Sequence, residues 1–233
     1  ADMNAAAGNA IHLGNKEAIR AYYRTLAQVS LSRSGSVSLA SYMAPLFAVA
    51  EERSRANSPI EENRAAILAL AIYFGDSRFE LLLRDVQTSD IGDGDFDTGQ
   101  VKLEQRHDWV QHFVTTAGIQ VAAGSGISNF IGEAKEIDDA DGPSGFSFTD
   151  LAADRAGVRF AEVATRSDSS ARRLQRVMAQ GVGESDFFPR VGDFPEGLSE
   201  AAFKAAYGDI DTPSYSAMIA KIDRRIDAIA LYK

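Results

Sequence analysis

Apolar residues recur at three- and four-residue spacing along most of this chain and alternate at period two almost nowhere, which predicts helices. Ala18, Ile19, Tyr22, Tyr23, Leu26 and Val29 mark one face of an amphipathic helix over residues 15–29. A Ser/Gly stretch at 32–38 interrupts the pattern, and Ser38 is placed to cap a second helix over 39–55 that takes Pro45 as a kink. Ser58-Pro59 opens a third helix, with Glu61 and Glu62 at its positive end. Its apolar run ends at Gly75, in the C′ position that glycine favours. A short helix is expected over 77–86.

Residues 88–100 set Asp90, Asp93, Asp95 and Asp97 among glycines with no aliphatic run, which predicts a loop. Helical segments follow at 106–123, 128–138 and 147–166, the last two separated by Gly142-Pro143-Ser144-Gly145. Residues 167–180 form an Arg-rich amphipathic helix, including Arg172, Arg173 and Arg176, stopped by Gly181 and Gly183. A linker with Pro189 and Pro195 then leads to short helices at 199–207 and 214–229. Phe146-Ser147-Phe148 is the one hint of β-structure. The expected class is all-α: a single multi-helix globular domain with at most a short β-hairpin near 142–148. Within it fall an N-terminal helical region (1–87), an acidic loop (88–105), a central helical core with the candidate site (106–183) and a C-terminal helical tail packing on that core (184–233).

Composition narrows the function classes. With 45% hydrophobic residues, 13 Phe and 7 Tyr, the chain carries enough apolar material for a buried core. A net charge of −9 speaks against nucleic acid and anionic membranes, whose phosphates need clustered Lys and Arg. The absence of Cys excludes thiolate nucleophiles, disulfides and Cys-ligated metals. No apolar run reaches the roughly 18 residues of a membrane-spanning helix. Neither a nucleophile-elbow serine motif nor a phosphate-binding glycine loop is present. The small, polar start from Ala1 to Gly8 resembles the mature end left by signal-peptide cleavage, so an exported, periplasmic protein is expected.

Three constellations can carry chemistry. Asp108 and His112 are i,i+4 neighbours on one helix face, where an Asp can set the tautomer and basicity of a His. An ordinary surface ion pair has the same spacing. Glu133, Glu136 and Asp139 share one row at a helix end, where acids oppose the dipole; a raised pKa, a bound metal or a solvated face each relieves their repulsion. Ser147 and Asp150 read as a helix start, and Asp150, Asp154, Gly157 and Ala161 lie on one stripe. The small residues on that stripe permit another helix to approach closely while the acids point at it.

The order Asp-x-x-x-His-Phe, Lys-Glu-Ile-x-Asp and Phe-Ser-x-x-Asp-Leu-x-x-Asp-x-x-Gly over residues 108–157 resembles bacterial VanZ-like proteins and related lipoproteins of uncharacterised function. The matching positions are Asp108, His112, Glu136, Asp139, Ser147, Asp150, Asp154 and Gly157. The chain departs from the pattern at Trp109, where the family has Lys, and in helices that are amphipathic. The resemblance implies that these residues meet in space, but it supplies no reaction.

A separate stretch sets Asp93, Asp95, Asp97 and Glu104 at positions 1, 3, 5 and 12 of a calcium loop, with Gly99 one place late; a flexible acidic loop has the same composition.

Three functions follow as expectations. The first is an exported envelope hydrolase acting on glycan (peptidoglycan), with Glu136 as general acid and Asp150 or Asp139 steadying the oxocarbenium ion or orienting water, by likeness to a lysozyme-type helix end; His112 completes this catalytic set. The second is a divalent-metal protein or metal-dependent hydrolase using Asp108, His112, Glu136, Asp150 and Asp154 with Mg, Mn, Zn or Ca. The third is a non-enzymatic envelope protein in which the polar network locks helices together and a partner protein docks.

Overall fold

Hydroxyl side chains start most of the described helices. Ser58, Ser147, Ser167, Ser199 and Thr212 each accept a hydrogen bond from the backbone N–H three residues on, satisfying one of the orphan donors of the first turn. The computed structural model describes residues 16–75, 98–123 and 145–233. Its helices are α1 (Lys16–Leu31), α2 (Ala40–Arg53), α3 (Pro59–Phe74), α4 (Asp108–Ala123), α5 (Phe148–Thr165), α6 (Asp168–Ala179), α7 (Glu200–Tyr207) and α8 (Pro213–Ala228). Two-residue strands β1 (Val37–Ser38) and β2 (Val101–Lys102) pair in parallel, Val37 opposite Val101. The protein is an all-α, single globular domain. Among the described residues no helix is long and apolar enough to cross a membrane.

α3 is buried along its whole length from Ala65 to Phe74, and α1, α2, α4, α5 and α6 pack around it. A helix apolar on every side belongs at the centre of a bundle. Its first turns carry the polar exceptions. Buried Glu62 accepts hydrogen bonds from Tyr22 Oη at 2.6 Å, Arg53 Nε at 2.7 Å and Asn57 Nδ2 at 2.8 Å, so both of its oxygens are engaged. Gln175 Nε2 donates to Ser54 Oγ and Asn63 Oδ1, both at 2.8 Å, and Asn63 Nδ2 donates to the Ala164 carbonyl at 2.8 Å. That chain of amides fastens α2, α3, α5 and α6 together.

α4 and α5 make the most intimate helix pair. Trp109 meets Asp150, His112 meets Asp154 and Phe113 meets Gly157, so the contacts advance together and the helices run parallel. At Gly157 an added Cβ would lie 2.2 Å from the Phe113 carbonyl oxygen and 2.5 Å from Thr116 Oγ1. The small-residue stripe expected on this helix is therefore the face on which its neighbour rests.

Several local expectations are corrected. Gly75 is not in the left-handed C′ conformation: its φ is −73° and ψ −174°. An added Cβ would lie 2.2 Å from the Ala71 carbonyl oxygen, so crowding rather than handedness calls for glycine there. α2 begins one residue later than expected; Ser38 Oγ accepts from Ala40 N at 3.1 Å instead of serving as the N-cap. Arg106 precedes α4 and lies at the end of a two-residue turn, where it and Leu103 exchange backbone hydrogen bonds of 2.8 and 2.9 Å. The turn residues Glu104 and Gln105 both have positive φ, 43° and 71°. Phe146 pairs in an isolated antiparallel bridge with Leu198 in the tail and not with its sequence neighbours. The tail then docks α7 and α8 through edge-to-face and tilted ring contacts among Phe146, Phe148, Phe203, Tyr207 and Tyr215. The helices expected at 77–86 and 128–138 lie outside the described residues.

Gly157→Ala is expected to destabilise the fold by about 3 kcal/mol in urea denaturation, the upper end for overpacking against backbone that cannot yield. A change below about 0.5 kcal/mol, within the range of neutral surface substitutions, would exclude so close an approach.

Candidate functional site

The parallel crossing of α4 and α5 builds the site. On α5, Ser147 Oγ accepts from Asp150 N at 3.1 Å and fixes the first turn, which sets Asp150 near the rim and Asp154 one turn deeper. On α4, His112 projects between them. Its Nδ1 lies 3.1 Å from Asp154 Oδ1 and its Nε2 lies 3.8 Å from Asp150 Oδ2. Trp109 Nε1 donates to Asp150 Oδ1 at 3.1 Å. Thr116 Oγ1 donates to the Asp154 backbone carbonyl at 2.9 Å, which ties the deep end together.

Burial grades along this row. The Asp154 side chain is 4% exposed, His112 13% and Asp150 20%. Asp154 Oδ2 is buried and has no hydrogen-bond partner among the described residues. Burial raises the Asp150 pKa above the ordinary carboxylate value; the His112 charge and the Ser147 hydrogen bond pull the other way without cancelling it, and Asp108 and Asp154 add to the rise.

A carboxylate only accepts, so an ionised Asp154 places the imidazole proton on Nδ1 and leaves the Nε2 lone pair facing Asp150. The arrangement sets a buried orienting acid, an imidazole and a carboxyl of raised proton affinity in one line. Such a row can donate a proton, accept one, or offer Nε2 and a carboxylate oxygen to a cation.

Asp108 faces elsewhere. Its carboxylate is held by Arg106, with Nε donating at 2.9 Å to Oδ1 and the second guanidinium nitrogen reaching Oδ2. Burial acts to raise its pKa, but the Arg106 hydrogen bond and charge together hold it below the usual range. Among the described residues, the acid within hydrogen-bond distance of the His112 ring is Asp154 from the neighbouring helix and not Asp108. Glu133, Glu136 and Asp139, and the Asp93, Asp95 and Asp97 of the acidic loop, lie outside the described residues. Glu104, twelfth in that spacing, sits in the tight turn and accepts from Val191 N at 3.2 Å. Among the described residues no group of three His, Asp or Glu side chains is arranged around a common metal position.

Glu196, in the tail, was not anticipated. It accepts from Arg106 Nη1 at 3.1 Å and from Thr149 Oγ1 at 3.2 Å, and so closes the rim beside Asp150. No local spacing marks it, since it arrives from 46 residues beyond Asp150 by the folding of the tail. Two larger clefts, of about 880 and 900 Å³, lie around Glu104, Phe188 and Arg190 and take in none of His112, Asp150 or Asp154. Comparison with family models, with curated proteins and with solved structures returns no match to this chain.

The raised pKa of Asp150 has a consequence for stability. A carboxyl whose folded pKa lies above its unfolded value favours folding fully below the unfolded pKa, and the benefit is lost as pH rises through the folded one. At neutral pH the ionised, half-buried group therefore opposes folding. Asp150→Asn should melt above wild type at pH 8, with the gap closing toward pH 4; a gap that widens on acidification would reverse the assignment.

Proposed function

We propose that this chain is a hydrolase of bacterial envelope glycan in which Asp150 is the general acid and His112, oriented by Asp154, restores its proton. The observation that carries the reading is the His112 ring held between two carboxyls, one buried at Nδ1 and one of raised proton affinity facing Nε2. Asp150 stays protonated to higher pH than an ordinary Asp and can give its proton to the glycosidic oxygen as the bond to the anomeric carbon breaks. Water adds to the oxocarbenium ion, and its proton leaves through His112 Nε2 to the emptied Asp150. With Asp150 taking the acid role expected of Glu136, a second carboxylate that steadies the ion or orients that water is the part expected of Asp139. The glycan substrate rests on the likeness of the sequence around Glu136 to a lysozyme-type helix end, and the exported, periplasmic location goes with that substrate.

In this reading Asp150→Asn lowers the release of reducing ends from purified peptidoglycan by about 100-fold or more, the span of lost general-acid catalysis. His112→Gln, which keeps a hydrogen-bonding side chain but loses the titratable nitrogen, lowers it less. Wild-type protein that releases no reducing ends above buffer at any pH from 4 to 8 would end the proposal.

A second reading is favoured by one distance. The 3.8 Å between His112 Nε2 and Asp150 Oδ2 is too long for a hydrogen bond and suits two ligands of one cation, behind which Asp154 would orient the imidazole. A divalent ion (Mg, Mn, Zn or Ca) would then draw further oxygens from the acids nearby. Elemental analysis of untagged protein should find about one equivalent in wild type and much less in His112→Ala; equal, trace contents in both would remove this reading.

A further inference from the structure

We propose that the two clefts on either side of Arg190 form one groove that binds an extended, acidic peptide. The groove lies apart from the row of Asp154, His112 and Asp150, and binding there does not depend on glycan hydrolysis.

The clefts, of about 880 and 900 Å³, share Glu104, Ser185, Phe188 and Arg190 and so adjoin along that line. Each lies near the upper end of the range for a small-molecule pocket, and the pair suits a chain better than a compact ligand. Arg190 stands at the junction with its side chain 92% exposed. Its Nε lies 4.0 Å from Glu104 Oε1, too long for a hydrogen bond. The backbone beneath it is fixed from two sides: Arg225 Nη1 donates to the Arg190 carbonyl at 2.8 Å, and Glu104 Oε2 accepts from Val191 N at 3.2 Å. A guanidinium on so firm a base is an anchor for an anion.

The acids that line the groove are engaged within the fold. Glu184 accepts from Ser38 Oγ through one oxygen and from Glu104 N through the other, at 2.8 Å. Arg225 donates to both oxygens of Asp193. Among these acids only Glu104 Oε1 is left without a donor, and it faces Arg190. Arg33, exposed on the wall beyond, makes one long hydrogen bond, 3.4 Å to the Ser41 carbonyl. Arg33 and Arg190 therefore give the groove a sign opposite to the −9 of the whole chain, which selects an acidic ligand.

Two features match a peptide backbone. Pro45 lies inside α2 and has no N–H for the Ser41 carbonyl four residues back. That oxygen, held only by the long Arg33 bond, can accept from a ligand N–H. The second feature is the turn at Glu104-Gln105, two consecutive non-glycine residues in left-handed backbone. Each such residue costs on the order of 1 kcal/mol and persists only where its surroundings impose it. The Glu184 bond to Glu104 N imposes it here and sets the exposed Gln105 on the groove wall. Its amide can both donate to and accept from a main chain. An extended peptide offers alternating C=O and N–H groups to such partners and carboxylates to the arginines.

The test uses fluorescein-labelled short peptides of Ala, Ser and Pro carrying several Glu, with matched sets in which Gln or Lys replaces Glu. They are titrated into the whole chain by fluorescence anisotropy at low ionic strength. The Glu set should bind at least about tenfold more tightly than the Gln set, the worth of one charge-assisted hydrogen bond, and the Lys set should not bind. Arg190→Ala should weaken the Glu set by about tenfold, and Arg190→Lys by less. Ser185→Trp, which puts a large ring where the clefts meet, should abolish binding. Arg172→Ala, which removes an exposed arginine of α6 outside the groove, should leave it unchanged. Equal losses in Arg172→Ala and Arg190→Ala would mean diffuse attraction and overturn the proposal. No binding of the Glu set, or equal binding of the Glu and Gln sets, would overturn it too. So would displacement of the peptides by a polyuronate glycan at equal carboxylate concentration, because the groove would then read charge alone. If Ser185→Trp disturbs the fold, the Arg190 and Arg172 variants carry the decision.

Discussion

Everything at this site depends on how closely α4 and α5 approach at Gly157. A helix pair separated by ordinary side chains would leave His112 and Asp154 too far apart to bond. With no Cβ at residue 157, the Phe113 carbonyl rests directly on the α5 backbone, and Thr116 reaches across to the Asp154 carbonyl. The crossing is thereby fixed in register as well as distance. Parallel direction then places Trp109 and His112, one turn apart on α4, against Asp150 and Asp154, one turn apart on α5. The rows match because both step by a helical turn.

Much of this could be read from the chain, and the division between what could and could not is physical. The three-to-four spacing reveals which residues share a helix face, and the Asp150, Asp154, Gly157 stripe proved to be such a face. Ser147 and Ser58 announced their helix starts because a cap is a contact between near neighbours. Spacing does not reveal which face meets which. Asp108 and His112 sit one turn apart, yet the ring bonds to Asp154 from α5, while Arg106 occupies Asp108. Glu196 and the Glu184 support of the Glu104 turn join residues some 80 to 90 positions apart, and nothing local to either partner encodes them. Gly75 failed differently: its type was informative, but close backbone approach and left-handed geometry both select glycine, and only the fold distinguishes them.

Two carboxylates are buried among the described residues, Glu62 and Asp154, and they are paired differently. Glu62 is surrounded by a tyrosine, an arginine and an amide, with a partner for each oxygen. A group so completely paired has its desolvation offset, and it joins α1, α2 and α3. Asp154 is as deeply buried but bonds the His112 ring through one oxygen, while the other has no partner among the described residues. Leaving a buried polar atom without a partner costs about 1–3 kcal/mol, and Gln175 Oε1 in the amide chain carries the same cost. What sets Asp154 apart is its partner: its one bonded oxygen holds the His112 ring, which reaches toward Asp150 at the rim, and it is on this row that the proposed chemistry rests.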